Sequence, residues 1–224
     1  LVLMVGFNRR FSPLIVQLKK KLESRVGPKA FVYTCNAGAV PCDHWIQNPL
    51  VGGGRLLGEA CHFVDLLRFL ADSPIQNVSL TSASDSKNCS DIFSLQIKFL
   101  DGSIGSVHYF ANGNNSFPKE RLEVFVSEKV FLVDNYRKLK AWGIPGFLTQ
   151  RSFSQDKGQA LCAKAFLAGL ETTTIVVFGE NFKILLDTSL TMPAFIPISS
   201  SLVIPGFLGM PEVIITTSLF EVLE

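Results

Sequence analysis

Residues 92–110, IFSLQIKFLDGSIGSVHYF, alternate between apolar and polar side chains on either side of Asp101-Gly102. Phe93, Leu95, Ile97 and Phe99 fall on one face and Ser94, Gln96 and Lys98 on the other, which is the period of a half-buried strand and not of a helix. The Asp-Gly pair predicts a two-residue hairpin turn. Alternation this clean indicates an antiparallel sheet with one face open, so the helices must gather on the other. RLEVFVS, VFLVDN and KLKAWG continue the strand pattern. The predicted fold class is α+β, a large, open, mainly antiparallel sheet with helices packed on one face.

Upstream, LVLMVGF reads as a strand, and SPLIVQLKKKLESRVG as a helix that Ser12 can cap, with Pro13 in its first turn and Gly27 at its end. KAFVYTC reads as a second strand. The proline, glycine and asparagine of NAGAVPCDHWIQNPLVGGG predict an ordered loop. QDKGQALCAKAFLAGL reads as a later helix with Asp156 in its first turn, where the helix dipole favours an acid. Residues 188–211 carry no charge and are long enough to raise the question of a membrane span. Pro193, Pro197, Pro205 and Pro211 argue against a regular one. The chain thus divides into one domain over 1–187 and an apolar, proline-containing tail over 188–224.

A net charge of +2, with the basic residues scattered, lacks the footprint of a nucleic-acid binder. Five cysteines, at 35, 42, 61, 89 and 162, without a signal-peptide pattern, suit free thiols in a reducing compartment and predict a cytoplasmic protein.

The most informative stretch is GGGRLLGEACHFVDLLRFL, residues 52–70. It fits neither phosphate-binding fingerprint, because Leu57 stands where a third glycine would be needed and Glu59 where a P-loop needs lysine. The glycines therefore read as a tight loop before a helix. On that helix Glu59, His62 and Asp65 recur every three residues as a polar stripe. A histidine beside carboxylates is the minimum kit for acid–base chemistry, yet the same spacing describes a solvated helix face, and spacing leaves both open. Cys35, Cys42, His44, Cys61 and His62 could ligate zinc, but no C-x-x-C or H-x-x-x-H pair accompanies them and no metal is expected. His44 and Trp45, in the loop, could line a sugar-sized pocket or cap the core.

VGFNRRFSPL, NAGAVPCDHWIQNPLVGGGRLLGEACHFVDLLRFL, FLDGSIGSVHYFANGNNSFPKERLEVF and SQDKGQALCAKAF resemble, in order and spacing, the C-terminal domain of the Gfo/Idh/MocA oxidoreductases, with the likeness strongest to bi-domain members and running to about residue 170. The resemblance implies a dihydrodipicolinate-reductase-like α+β domain that contacts a sugar or cyclitol, covers the nicotinamide of NAD or NADP, and forms a homo-oligomer through its open sheet. It implies that His62 assists proton transfer, with Asp65 following it as in the family pattern. Many members carry an aspartate four residues before the histidine, where this chain has Gly58, with Glu59 beside it. Asn36, His44, Trp45, Arg55, Lys119 and Glu120 become candidate substrate contacts. The family's Rossmann domain and E-K-P lysine are not among these residues, so no cofactor-binding residue can be named and the isolated chain is expected to be inactive. TTTIVVFGENFKILLDTSL corresponds to the family's last strand and helix.

Overall fold

In the computed structural model, which describes residues 4–48, 51–83, 91–172, 175–178 and 182–185, the alternating runs join into one eight-stranded sheet. The strands are β1 (Ala30–Asn36), β2 (Ile75–Ser82), β3 (Ile92–Phe99), β4 (Ile104–Phe110), β5 (Glu120–Val126), β6 (Lys129–Asp134), β7 (Lys138–Trp142) and β8 (Gln150–Arg151), in the order β2-β3-β4-β1-β5-β6-β7-β8. Every pairing is antiparallel except β1 with β4.

The period of two decides which face each residue serves. Phe93, Leu95, Ile97 and Phe99 are buried, as are Phe31, Tyr33 and Cys35 on β1, Val107 and Tyr109 on β4, and Leu122 and Val124 on β5. They form one core with helices α1 (Pro13–Glu23) and α2 (Cys61–Ala71), which contribute Leu14, Ile15, Leu18 and Leu22, and Phe63, Leu66, Leu67 and Leu70. Each such side chain contributes about 1.5–3 kcal/mol relative to an exposed position.

Among the described residues no helix covers the other face, and the register aligns its residues in rows. Ile104, Ala30, Phe125, Val130 and Trp142 lie side by side across β4, β1, β5, β6 and β7, beside a row of Ser106, Val32, Glu123, Leu132 and Lys140. Ile104, Phe125 and Trp142 are exposed.

Several local expectations are corrected. The β3–β4 loop has three residues and not two: Phe99 N–H donates to Ser103 O, Gly102 N–H to Phe99 O, and Gly102 takes φ +85°, the left-handed conformation that such a loop requires at its last position. Residues 4–7 form no strand, and the chain enters α1 through a 3₁₀ turn, Asn8–Phe11. Ser12 does not cap α1 with its side chain; its hydroxyl donates instead to Asp156 O at 2.7 Å. The later helix, α3 (Gln159–Thr172), starts after Asp156, whose carboxylate accepts from Gly158 N–H and so holds the turn before the helix. Where a last strand and helix were expected there are two short antiparallel strands, β9 (Ile175–Phe178) and β10 (Phe182–Leu185), in keeping with the β-branched and aromatic residues of both runs. Cys42 is disulfide-bonded while Cys35, Cys61 and Cys162 are free, which removes the support that five free thiols lent to a reducing compartment. No helix among the described residues is long and apolar enough to cross a membrane, and the tail over 188–224 lies outside them.

Candidate active site

The glycine loop does not run directly into an α-helix. A π-helical turn, Leu56–Ala60, intervenes, and α2 follows from Cys61. Residues six apart on a regular helix already differ by about 120° in direction, so a stripe at this spacing drifts around the surface. Glu59, His62 and Asp65 accordingly meet three different sets of neighbours.

Asp65 is buried and paired with Arg10, whose Nε donates to it at 2.9 Å and whose second nitrogen also bonds the carboxylate. It is not part of a solvated face. Glu59 lies between two cations, 3.2 Å from Arg55 and 3.5 Å from Lys119. Arg55, itself buried, also donates to the Tyr109 hydroxyl and to Gly38 O, so it staples the π turn to β4 and to the loop after β1.

His62 is half-buried, and its imidazole meets the Phe7 ring edge-on with centroids 5.5 Å apart. Its Nδ1 is buried and has no hydrogen-bond partner. Burial first, then the positive charge of Arg9, lowers its pKa below the ordinary histidine value, while Glu120 and Glu59 pull the other way. The shift favours the neutral ring, the state a proton acceptor needs.

Glu120, at the start of β5, is buried. Arg9 donates to both its oxygens, at 2.8 and 3.3 Å, Lys157 Nζ lies 2.5 Å away, and the Tyr33 hydroxyl donates to it as well. Burial alone would raise the carboxyl, but Arg9 and Lys157 win and hold its pKa at about 2. Its lone pairs are committed to the protein, and Lys119 is the more exposed neighbour.

Asn36, at the end of β1, donates from Nδ2 to Asn114 O and Phe117 O and so anchors the β4–β5 loop, leaving its Oδ1 buried and unpartnered. His44 Nδ1 accepts from Ile46 N–H and caps a short 3₁₀ turn, Trp45–Gln47, on which Trp45 is 60% exposed. No hydrogen bond or ion pair among the described residues joins His44 or Trp45 to Glu59, His62 or Asp65. Arg9, Arg10 and Lys157 were not among the sequence candidates. The signals available were the Arg-Arg pair in an otherwise apolar opening and the place of all three in segments that resemble the family, and a reading by period cannot connect either to partners far along the chain.

Among the described residues, neither Cys35 nor the glycine loop fits a metal or a dinucleotide. Burial pushes the Cys35 thiol up to about 12, far from the thiolate a metal needs. Among the described residues no three or more His, Cys, Asp or Glu side chains come together as a metal site. A Cβ on Gly52 would lie 2.4–2.7 Å from the Ile46 backbone, so the space at that glycine is filled by the chain and not left as a cradle for pyrophosphate.

The family model of the GFO/IDH/MocA C-terminal domain matches residues 25–131. Among solved structures the chain is similar to a dehydrogenase (MviM) from Clostridium difficile, at 19% identity over 75% of this chain and 53% of that one, with a TM-score of 0.57. It is similar also to UDP-N-acetylglucosamine 3-dehydrogenase GnnA from Acidithiobacillus ferrooxidans, at 17% identity over 76% and 53%, TM-score 0.59. A third is a levoglucosan dehydrogenase in complex with NADH and levoglucosan, at 20% identity over 73% and 55%, TM-score 0.58. The chain spans about half the length of these structures. No match was found among curated proteins.

Proposed function

From the match of residues 25–131 to the GFO/IDH/MocA C-terminal domain model, we propose that this chain is the substrate-binding and self-associating part of an NAD- or NADP-dependent oxidoreductase acting on a hydroxyl of a sugar or cyclitol. The observation that carries the reading is His62, a half-buried imidazole whose Nδ1 is buried without a partner and whose pKa burial lowers, within electrostatic reach of Glu59 and Glu120. A neutral imidazole can take the hydroxyl proton. Asp65 and Glu120, both engaged by buried arginines, hold the segments on either side of it, and Glu59, Arg55 and Lys119 supply polar groups at the same end of the sheet. Asn36, at the end of β1, and His44 and Trp45, on the segment that follows it, are read as sugar contacts. The dinucleotide would be held outside the described residues. Dehydrogenases among the structural neighbours, one of them bound to a sugar and NADH, support this class of substrate.

In an assembly of this chain with a dinucleotide-binding domain that turns over a sugar, His62→Ala is expected to lower kcat about a hundredfold, with NAD(P)H fluorescence titration unchanged. An unchanged kcat would rule out the proton-transfer role.

The open face is read as the self-association surface. Its exposed Ile104, Phe125 and Trp142 share one row with Val130, with Arg121, Glu123 and Leu132 next to them, a mixed apolar and charged surface of the kind that two-fold partners cover. Sedimentation analysis should find a dimer that Trp142→Asp weakens about thirtyfold, the effect of losing one interface tryptophan. A wild-type chain that remains monomeric at high concentration would remove this part of the reading.

A further inference from the structure

We infer that Arg9 is a positioning residue for His62: Phe7 and Arg9, on the strap before α1, grip the consecutive residues His62 and Phe63 on α2, while Glu120 fixes Arg9 so that a permanent positive charge is held over the ring next in sequence to the imidazole. The grip is matched in register. The Phe7 ring meets His62 at 86° between planes, and the Arg9 guanidinium carbon lies 4.7 Å from the centre of the Phe63 ring. Phe63 in turn stacks on Tyr33, whose hydroxyl bonds Glu120. Arg9 is thus enclosed by an aromatic face on one side and a buried carboxylate on the other. Glu120 is itself held by Lys157, and the Tyr136 hydroxyl lies 3.3 Å from that of Tyr33.

A guanidinium fixed in this way cannot swing aside when the neighbouring ring gains a proton, and a buried charge is weakly screened. Among the described residues three charged groups bear on His62: Arg9 from the strap, Glu120 from β5 and Glu59 from the π turn. Arg9 opposes the imidazolium and the two carboxylates favour it. Burial is the largest influence on the ring, and the strap adds to it both an aromatic contact that places the ring and a charge that disfavours the imidazolium. The functional meaning rests on the reading of His62 as the proton acceptor, whereas the contacts and the test do not.

The test is the NMR titration of the histidine ring signals in the full 224-residue chain, which has three histidines, His44, His62 and His108. The His62 signal is assigned by its loss in His62→Ala. Arg9→Gln is expected to move the His62 midpoint up, Glu120→Gln to move it down, and Arg9→Lys, which keeps the charge, to return it close to wild type. The opposite signs are decisive because both neutral variants break the same ion pair, so a role confined to holding the structure would move the midpoint the same way in each. Shifts of the same sign, or no shift in either, would overturn the inference. If Glu120→Gln does not fold, Arg9→Gln against Arg9→Lys decides alone, since Glu120 keeps Lys157 and Tyr33 in both, and equal shifts in these two overturn it. The readout is protonation and not turnover, so a His62→Ala enzyme with full activity would sink the proton-transfer role while leaving this result standing.

Discussion

Glu120→Ala is expected to destabilise the domain by about 3–5 kcal/mol, the cost of removing one partner from a buried ion pair. The loss comes less from the missing attraction than from what remains: Arg9, nearly without access to water, keeps its charge but loses both of its carboxylate bonds, and Lys157 and the Tyr33 hydroxyl lose theirs. Urea unfolding followed by circular dichroism measures it. A loss below about 1 kcal/mol, typical of exposed pairs, would mean the cluster is hydrated in solution. The same carboxylate predicts an acid limb. A group held at about 2 when folded, against an ordinary 4.5, contributes stability that is complete above 4.5 and is lost as the pH falls from there through 2. The full amount is about 3 kcal/mol. Stability that stays level from pH 5 to pH 2.5 would contradict the assignment.

Gly158→Ala is expected to cost more than about 3 kcal/mol, through a strained backbone and a clash that has no way out. Gly158 has φ +85°, and a Cβ there would lie 2.5 Å from Asn8 O, Phe11 C and Ser12 N. All three are backbone atoms, so no rotamer change relieves the contact. The turn before α3 is latched to the strap before α1 at this point: Asn8 Nδ2 donates to Lys157 O, and the Ser12 hydroxyl to Asp156 O. Moving the turn also draws Lys157 away from Glu120. Gly146→Ala is the control, because Gly146 has φ +73° with nothing within 4 Å of its would-be Cβ, and should show the backbone cost alone, about 1–2 kcal/mol. Equal midpoints for the two variants would mean that the close approach is not present in solution.

Much of this arrangement was legible in the chain as text. The alternation of residues 92–99 placed Phe93, Leu95, Ile97 and Phe99 in the core because a pleated strand has no other way to orient them. The strands after residue 120 and the helix through Leu66, Leu67 and Leu70 followed from the same kind of local argument. The turn at Asp101-Gly102 was located correctly but given one residue too few, since the count depends on which residues of the two strands pair. Ser12 and Asp156 were assigned to helix ends by residue type, whereas each bonds a segment remote from or outside its helix.

The site divides along the same line. Glu59, His62 and Asp65 could be picked out by spacing, and that they follow one another along the π turn and α2 is a local fact. Their different fates are not local. Asp65 went to Arg10, 55 residues away, and Glu120 to Arg9, 111 residues away, because desolvated carboxylates are stable only beside fixed cations and the fold decides which cations arrive. Periodicity along the chain therefore determined the elements, their faces and the membership of the core. The charge state of His62, the partner of each buried acid and the exposure of the apolar row from Ile104 to Trp142 were decided only in three dimensions, where charges and strands distant in sequence meet in a medium that water no longer screens.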